Sequence, residues 1–157
     1  MRTVVIGLGN PILRDDGVGL VVARAVRTGL AGRRDVDILE DTHGGLRLME
    51  RMTGYDRAVI VDSLISGRPP GTVVEIDLRT MSTQHSSSSH DVDLPTALAV
   101  GRRAGAHLPA DESIRVFAVE GRQVDIFGDD LTPAVASAVP QAVRMVLEAV
   151  QPQGAEP

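Results

Sequence analysis

The sequence predicts an α/β fold, a three-layer α/β/α sandwich with a mostly parallel central sheet of about five strands. Short β-branched runs alternate along the chain with longer segments in which apolar residues recur at helical spacing. The first run ends in a turn, Gly7-Leu8-Gly9, that leads directly into one of these helical segments. A later run, Ala58-Val59-Ile60-Val61, is apolar throughout, as is typical of a parallel strand buried on both faces.

In the first half of the chain, predicted strands and helices alternate regularly. The strands are short β-branched runs ended by glycine or charged residues, and the helices have apolar residues three or four positions apart. In order, the predicted elements are strand 3–6, helix 16–30, strand 36–39, helix 46–52 and strand 57–62.

The second half continues this alternation after one irregular stretch. Its predicted elements are strand 71–78, a Ser-rich loop over 81–90, helix 94–104, strand 114–119 and helix 132–150. The alternating pattern of the first of these strands indicates partial exposure. In the last helix, Thr132 is the expected N-cap and Pro133 the first helical residue. Pro140 falls within the apolar stripe of that helix, so it should kink the helix or delay its start.

No internal repeat and no long linker divides the chain. We therefore expect one α/β domain over residues 1–150 and a disordered polar tail over residues 151–157. The run Ser86–Ser89 is the one low-complexity stretch, and its default interpretation is a mobile surface loop.

The composition excludes several functional classes. The net charge of −5 disfavours a duplex nucleic-acid binder, which needs a basic face. The absence of cysteine excludes disulfides, thiolate metal sites and a cysteine nucleophile. The first apolar run is too short for a signal peptide, and no run approaches the length of a membrane span. We expect a cytoplasmic protein, monomeric, without a membrane or nucleic-acid partner.

The candidate functional side chains follow two of the predicted strands or lie in the Ser-rich region. Asp15 and Asp16 lie within the motif GLGNPILRDDGVG, and capping of the following helix is the favoured interpretation for an isolated pair. Asp62 ends the run AVIVD, either as a functional carboxylate or as one that orders residues 63–70. His90 follows the serines, where a lone histidine is ordinarily solvated.

Together, two carboxylates and the imidazole form a set of oxygen and nitrogen donors at one edge of the predicted sheet. Such donors suit zinc, nickel or cobalt. A set of three leaves coordination positions open for water or substrate.

Other motifs give weaker indications of function. The dinucleotide fingerprint is broken because Ile12 stands at its third glycine position, and no P-loop or G-x-S-x-G elbow occurs. Ser63 has no histidine partner by spacing, so a serine hydrolase is a weak alternative.

Four segments, in this order, resemble the hydrogenase maturation proteases over nearly the whole chain. They are VVIGLGNPILRDDGVG, AVIVD, SSHDVDLPTAL and GDDLTPAVASAVPQAVRMVLEAV. The resemblance implies an endopeptidase that trims the C-terminal extension of a [NiFe] hydrogenase large-subunit precursor. It also implies that Asp16, Asp62 and His90 bind the nickel carried by that precursor, a site that other divalent metals can also occupy. The precursor is then both the substrate and the expected partner.

The chain departs from the family pattern after the second strand. Where family members often carry a Gly-Thr-rich turn, this sequence has Asp41, Thr42, His43, Gly44 and Gly45. We assign these five residues to substrate recognition, with residues 63–70 as a further docking candidate, and His43 is an alternative ligand to His90.

Rival hypotheses remain at this point. One is a peptidyl-tRNA hydrolase-like enzyme, since Asn10 matches its GLGNP motif, although Arg14-Asp15-Asp16 stand where its histidine is expected. The others are a nickel-dependent chaperone that binds the precursor without cutting it, and a stand-alone nucleotide-binding domain.

Overall fold

The computed structural model describes residues 1–81, 92–152 and 154. The strands within these ranges are β1 (Thr3–Leu8), β2 (Val36–Asp41), β3 (Arg57–Leu64), β4 (Val73–Ile76) and β5 (Ile114–Glu120). The helices are α1 (Val18–Gly29), α2 (Gly45–Met52), α3 (Leu94–Arg103) and α4 (Pro133–Ala149). Short 3-10 turns cover Arg14–Gly17, Leu78–Thr80 and Asp111–Ser113.

The five strands form one sheet in the order β2-β1-β3-β5-β4. Strands β2, β1, β3 and β5 are parallel, whereas β4 runs antiparallel to β5 at the edge. The residues of β1 are all buried, as its central place and its continuous apolar run require. The predicted mostly parallel sheet of about five strands is confirmed.

Helices cover both faces of the sheet, each face with its own apolar core. Helices α1 and α4 pack on one face, where Val5, Val59 and Phe117 point. Helices α2 and α3 pack on the other face, against Ile6 and Ile60. Because successive side chains along a strand point to opposite faces of the sheet, alternate residues of β1 and β3 contribute side chains to the two cores. The predicted three-layer sandwich follows from this arrangement.

Strand ends and helix starts differ from their predicted positions. Strands β1 and β2 each continue two residues further than predicted, because their parallel pairing extends to Leu8 opposite Asp41. Strand β4 is shorter than predicted, Val73–Ile76. Helix α1 begins at Val18, not at residue 16, because Arg14–Gly17 form a 3-10 turn.

Pro140 neither delays the start of α4 nor lies on its buried stripe. The helix begins at Pro133 and includes Pro140, which is exposed. On the solvent side, the carbonyl that a proline leaves without its helical donor can accept from water, so the helix tolerates it there.

Residues 82–91, 153 and 155–157 lie outside the described residues. They include most of the predicted Ser-rich loop and most of the predicted tail. Among the described helices, none has the length and apolar character needed to cross a membrane.

Candidate active site

The candidate site lies where β1 and β3 end. Strand β1 has β2 on one side and β3 on the other, so the chain leaves β1 towards β2 and later returns to its opposite side. In open α/β sheets, the crevice at the carboxyl ends of strands around such a switch point is where ligands bind. The loops that follow β1 and β3 carry Asp16 and Asp62.

Two glycines allow the 3-10 turn and helix α1 to sit directly on the sheet. A Cβ atom at Gly9 would collide with the backbone carbonyl of Asp16, and one at Gly19 would collide with the carbonyls of Leu8 and Val61. Only glycine permits this close backbone approach. The GLGNP turn and the later G-V-G pair of the motif thus hold Asp16 against the end of β3.

Asp16 and Asp62 are held together by Ser63. The Ser63 hydroxyl donates to Oδ1 of Asp16 across 3.0 Å, and the Ser63 backbone N–H donates to Oδ1 of Asp62 across 2.7 Å. Oδ2 of Asp16 accepts from the backbone N–H of Asn10 across 2.9 Å. The two carboxylates are only 7% and 5% exposed. The structure therefore brings together two of the three predicted metal ligands, joined by a serine that the sequence offered only as a weak nucleophile.

Asp15 faces away from this pair and ties two loops together. Its carboxylate accepts from the backbone N–H groups of Arg122, Gln123 and Thr132, and from the Thr132 hydroxyl. Burial raises the pKa of Asp15, but the hydrogen bonds from these three N–H groups outweigh it, and its pKa lies below the ordinary value. Asp15 thereby fixes the loop between β5 and α4 to the loop between β1 and α1.

The expectation that Asp15 and Asp16 cap helix α1 is wrong. The N-cap residues of the 3-10 turn and of α1 are Leu13 and Gly17, which have no side-chain acceptor. The carboxylates accept from distant groups, Asp16 from Ser63 and Asp15 from Thr132. Thr132 is the N-cap of α4, with Pro133 next, as predicted, but its side chain donates to Asp15 and does not cap the helix. Long-range partners have replaced local caps at both helix starts.

Glu120 is a buried carboxylate at the end of β5 that the sequence analysis missed. It is 2% exposed. It accepts from the backbone N–H groups of Ser66 and Gly67, across 2.7 and 2.9 Å, and from the Ser66 hydroxyl. Glu120 thus orders the loop after β3, a task that the sequence analysis considered for Asp62. Its position at the end of the apolar run Val116–Val119 was the available clue, since Asp62 stands in the same relation to β3.

A groove opens beside Asp62 and extends along the sheet towards β4. Its volume is about 320 Å³, and its lining includes Asp62, Ser63, Arg68, Ile76 and Ala118. This volume lies at the lower end of the range found for small-ligand pockets.

The predicted recognition residues run from the last residue of β2 through the following turn to the first residue of α2, at the same edge of the sheet. Asp41 is buried and accepts from Arg47 and Arg51, and from the N–H groups of Thr42 and His43. Burial raises the pKa of Asp41, but these hydrogen bonds, that of Arg51 foremost, outweigh it and lower the pKa to about 2. The buried Asp41 carboxylate therefore fixes the backbone of the turn through its hydrogen bonds to Thr42 and His43.

The other members of that turn have different surroundings. The side chains of Thr42 and His43 face solvent. Gly44 is half-buried. Gly45 is buried with a φ of 59°, in contact range of the Val92 backbone, which excludes a larger residue.

The third predicted ligand, His90, lies outside the described residues. Within residues 1–81 and 92–152, no three His, Asp or Glu side chains gather as a metal-binding group, so His43 does not join Asp16 and Asp62 there. His43 instead contacts Asp41 and Thr42.

Comparison with known proteins identifies the family. Residues 21–149 match the hydrogenase maturation protease model HycI. The chain is 26% identical over 159 residues to the hydrogenase 2 maturation protease of Escherichia coli, covering 99% of this chain and 94% of that protein. The chain is also 24% identical over 148 residues to the hydrogenase expression/formation protein HupD of Thiocapsa roseopersicina. That match covers 92% of this chain but only 66% of HupD.

The solved structures agree with the sequence relatives. The hydrogenase maturating endopeptidase HybD from E. coli superposes with a TM-score of 0.77 at 25% identity, covering 98% of this chain and 94% of HybD. The family match favours the protease over the peptidyl-tRNA hydrolase-like alternative. By its sequence match over most of its length and by its fold, this chain belongs to the hydrogenase maturation protease family.

Proposed function

We propose that this chain removes the C-terminal extension of a nickel-loaded [NiFe] hydrogenase large-subunit precursor. The observation that carries the proposal is the pair of buried carboxylates, Asp16 and Asp62, held by Ser63 at the switch point of a maturation-protease fold. The names of the relatives, such as the E. coli hydrogenase 2 maturation protease, supply the substrate class.

Asp16, Asp62 and His90 are proposed to complete the coordination of the nickel that the precursor carries. Carboxylate oxygens and an imidazole nitrogen suit a borderline divalent cation. A carboxylate oxygen that accepts one hydrogen bond keeps a second lone pair, so the contacts made by Ser63 and Asn10 are compatible with metal binding. Those two donors fix the orientation of the Asp16 carboxylate before the substrate arrives.

Hydrolysis adds water across the scissile peptide bond: the carbonyl carbon gains the oxygen, the C–N bond breaks, and the leaving amine takes a proton. In one version of the proposal, the substrate's nickel polarises the carbonyl or activates the water. In the other, nickel serves recognition, and a site carboxylate is the general base. The groove beside Asp62 offers space for the chain that follows the scissile bond.

Nickel-dependent docking provides quality control. A precursor without nickel lacks the anchor for Asp16, Asp62 and His90, so its extension stays in place. The extension in turn keeps the subunit open for metal insertion. Exposed Thr42 and His43, on a turn fixed by Asp41, are proposed to contribute to recognition of the large subunit.

The test is incubation of the purified chain with the hydrogenase large-subunit precursor from the same genome, with and without nickel, followed by intact mass measurement. The expected result is loss of a C-terminal peptide from the loaded precursor alone. Binding of the loaded precursor without any mass change would overturn the protease proposal in favour of a chaperone. Loss of the peptide from nickel-free precursor would overturn the role of nickel.

A further inference from the structure

Exposed apolar side chains concentrate at the edge of the sheet where the candidate site lies. Among the described residues, seven large hydrophobic side chains are exposed. Five of them follow the carboxyl ends of the parallel strands: Ile12 after β1, Leu46 after β2, Ile65 after β3, and Ile126 and Phe127 after β5. We call these five residues the apolar collar. The other two are Met1 and Val100, of which Val100 lies on helix α3.

Phe127 is the most exposed member of the collar, at 77%. The chain has only three aromatic residues, and one of them is thus placed in solvent. Single exposed apolar residues are common on protein surfaces, but clusters of them mark interaction sites. Aromatic side chains are also the residues that most often dominate interface energies.

Hydrogen bonds and packing hold the three loops that carry four of the collar residues, whereas Leu46 lies on helix α2. The N–H of Gly128 donates to the carbonyl of Ile12 across 2.9 Å, so Phe127 and Ile12 lie on adjoining segments. Ile65 approaches Gly121 in the same loop as Phe127. The buried carboxylates of Asp15 and Glu120 anchor these loops to one another and to the sheet.

Two members of the collar lie close along the chain to the site carboxylates. The N–H of Ile12 donates to the side chain of Asn10, whose own N–H donates to Asp16. Ile65 follows Asp62 by three positions along the chain. Exposed charged residues flank the apolar members, namely Arg68, Arg122, Asp125, Asp129 and Asp130. An apolar centre with a charged surround is the usual composition of a protein interface.

We propose that the apolar collar is the docking surface for the folded body of the precursor, with Phe127 and Ile12 as its main anchors. This inference rests on the proposed function, which requires a macromolecular substrate to present its nickel to Asp16 and Asp62. A collar at the same edge places the partner's apolar surface against the protease while its metal reaches the site. Preformed loops need little ordering on binding, which favours affinity.

The test compares Phe127→Asp and Ile12→Ser with the control Val100→Asp, which alters an exposed apolar residue outside the collar. Affinity for nickel-loaded precursor and the KM and kcat of its cleavage are measured for each, with thermal unfolding to check folding. We expect Phe127→Asp to raise Kd and KM at least about tenfold, and Ile12→Ser about threefold, with kcat at saturation retained. Val100→Asp should bind and cut as the wild type does.

Two outcomes would overturn the inference. One is cleavage by folded Phe127→Asp with a wild-type KM, which leaves the proposed protease function intact and removes only the collar. The other is a wild-type dimer in sedimentation that Phe127→Asp dissociates without loss of precursor affinity, which would assign the collar to a second copy of the chain. Failure of the wild-type protein to cut any precursor is a separate result, and it contradicts the proposed function itself.

Discussion

The hydroxyl of Ser63 lies 3.0 Å from Oδ1 of Asp16, although 47 positions separate the two residues in the sequence. Because Ser63 also donates its backbone N–H to Asp62, one residue sets the relative placement of both carboxylates. Hydrogen bonds within the fold therefore set the arrangement of the pair. Such preorganisation is what a site needs if it is to receive a metal already bound to another protein.

Ser63→Ala removes the hydroxyl donor to Asp16 and leaves the backbone donor to Asp62 in place. A hydrogen bond to a charged group contributes about 1.5–3 kcal/mol, so we expect kcat for precursor cleavage to fall roughly tenfold or more. Ser63→Thr restores the hydroxyl and should recover most of the rate. The measurement is the kcat and KM of both variants. An equal rate for the alanine variant and the wild type would show that Ser63 does not position Asp16.

Asp15→Asn should destabilise the fold without direct loss of site chemistry. The amide would keep one acceptor oxygen but turn its N–H₂ group either towards the backbone N–H donors of residues 122 and 123 or towards that of residue 132. We expect a loss of about 2–4 kcal/mol in the free energy of unfolding. The corresponding fall in Tm is about 2–4 °C for each kcal/mol. Thermal unfolding by circular dichroism measures it. Asp129→Asn, at an exposed position of the same loop, is the control and should leave Tm unchanged.

Glu120→Ala should release the loop that follows β3. The N–H groups of Ser66 and Gly67 donate to this carboxylate, and their amide hydrogens should exchange at least about tenfold faster without it. Glu120→Gln keeps an acceptor oxygen for both N–H groups and should retain most of the protection. Hydrogen exchange read by NMR distinguishes the two variants. Unchanged exchange in the alanine variant would mean that other contacts hold the loop.

Asp41 should make stability depend on pH in the acid range. Its pKa is about 2 in the folded chain against an ordinary 3.8, so the carboxylate form stabilises the fold above about pH 4. This contribution, about 2 kcal/mol, is lost as the pH falls from about 4 to 2. The difference in urea unfolding free energy between the wild type and Asp41→Asn should therefore be larger at pH 6 than at pH 2.5. A difference that does not change with pH would show that the Asp41 pKa is not lowered.

The elements were predictable where local sequence decides them. The apolar periods of β1, β3 and α4, and the Thr132-Pro133 start of α4, each depend on residues close together in the chain. The antiparallel edge position of β4 was not foreseen, because strand order depends on which long-range pairing forms and not on the pattern within the strand.

The site residues show the same contrast between features that local sequence decides and features that long-range contacts decide. Asp15 and Asp16 are chemically identical neighbours, yet one faces Thr132 and the other Ser63. The 3-10 turn between β1 and α1 sets these directions, and the helical spacing that predicted a start at residue 16 gave no hint of it. Glu120 was missed for a related reason, since its partners, Ser66 and Gly67, are 54 and 53 positions away.

Asp16 and Asp62 are proposed to act on a nickel-loaded precursor, and the most direct test is the cleavage of that precursor by Asp16→Asn and Asp62→Asn. Asp93→Asn is the matched control, because Asp93 caps α3 at an exposed position and asparagine caps helices equally well. Docking of loaded precursor and intact mass after incubation are read for each folded variant. We predict at least about a hundredfold slower removal of the C-terminal peptide by both site variants and wild-type cleavage by the control. Wild-type cleavage by Asp16→Asn and Asp62→Asn would contradict the account.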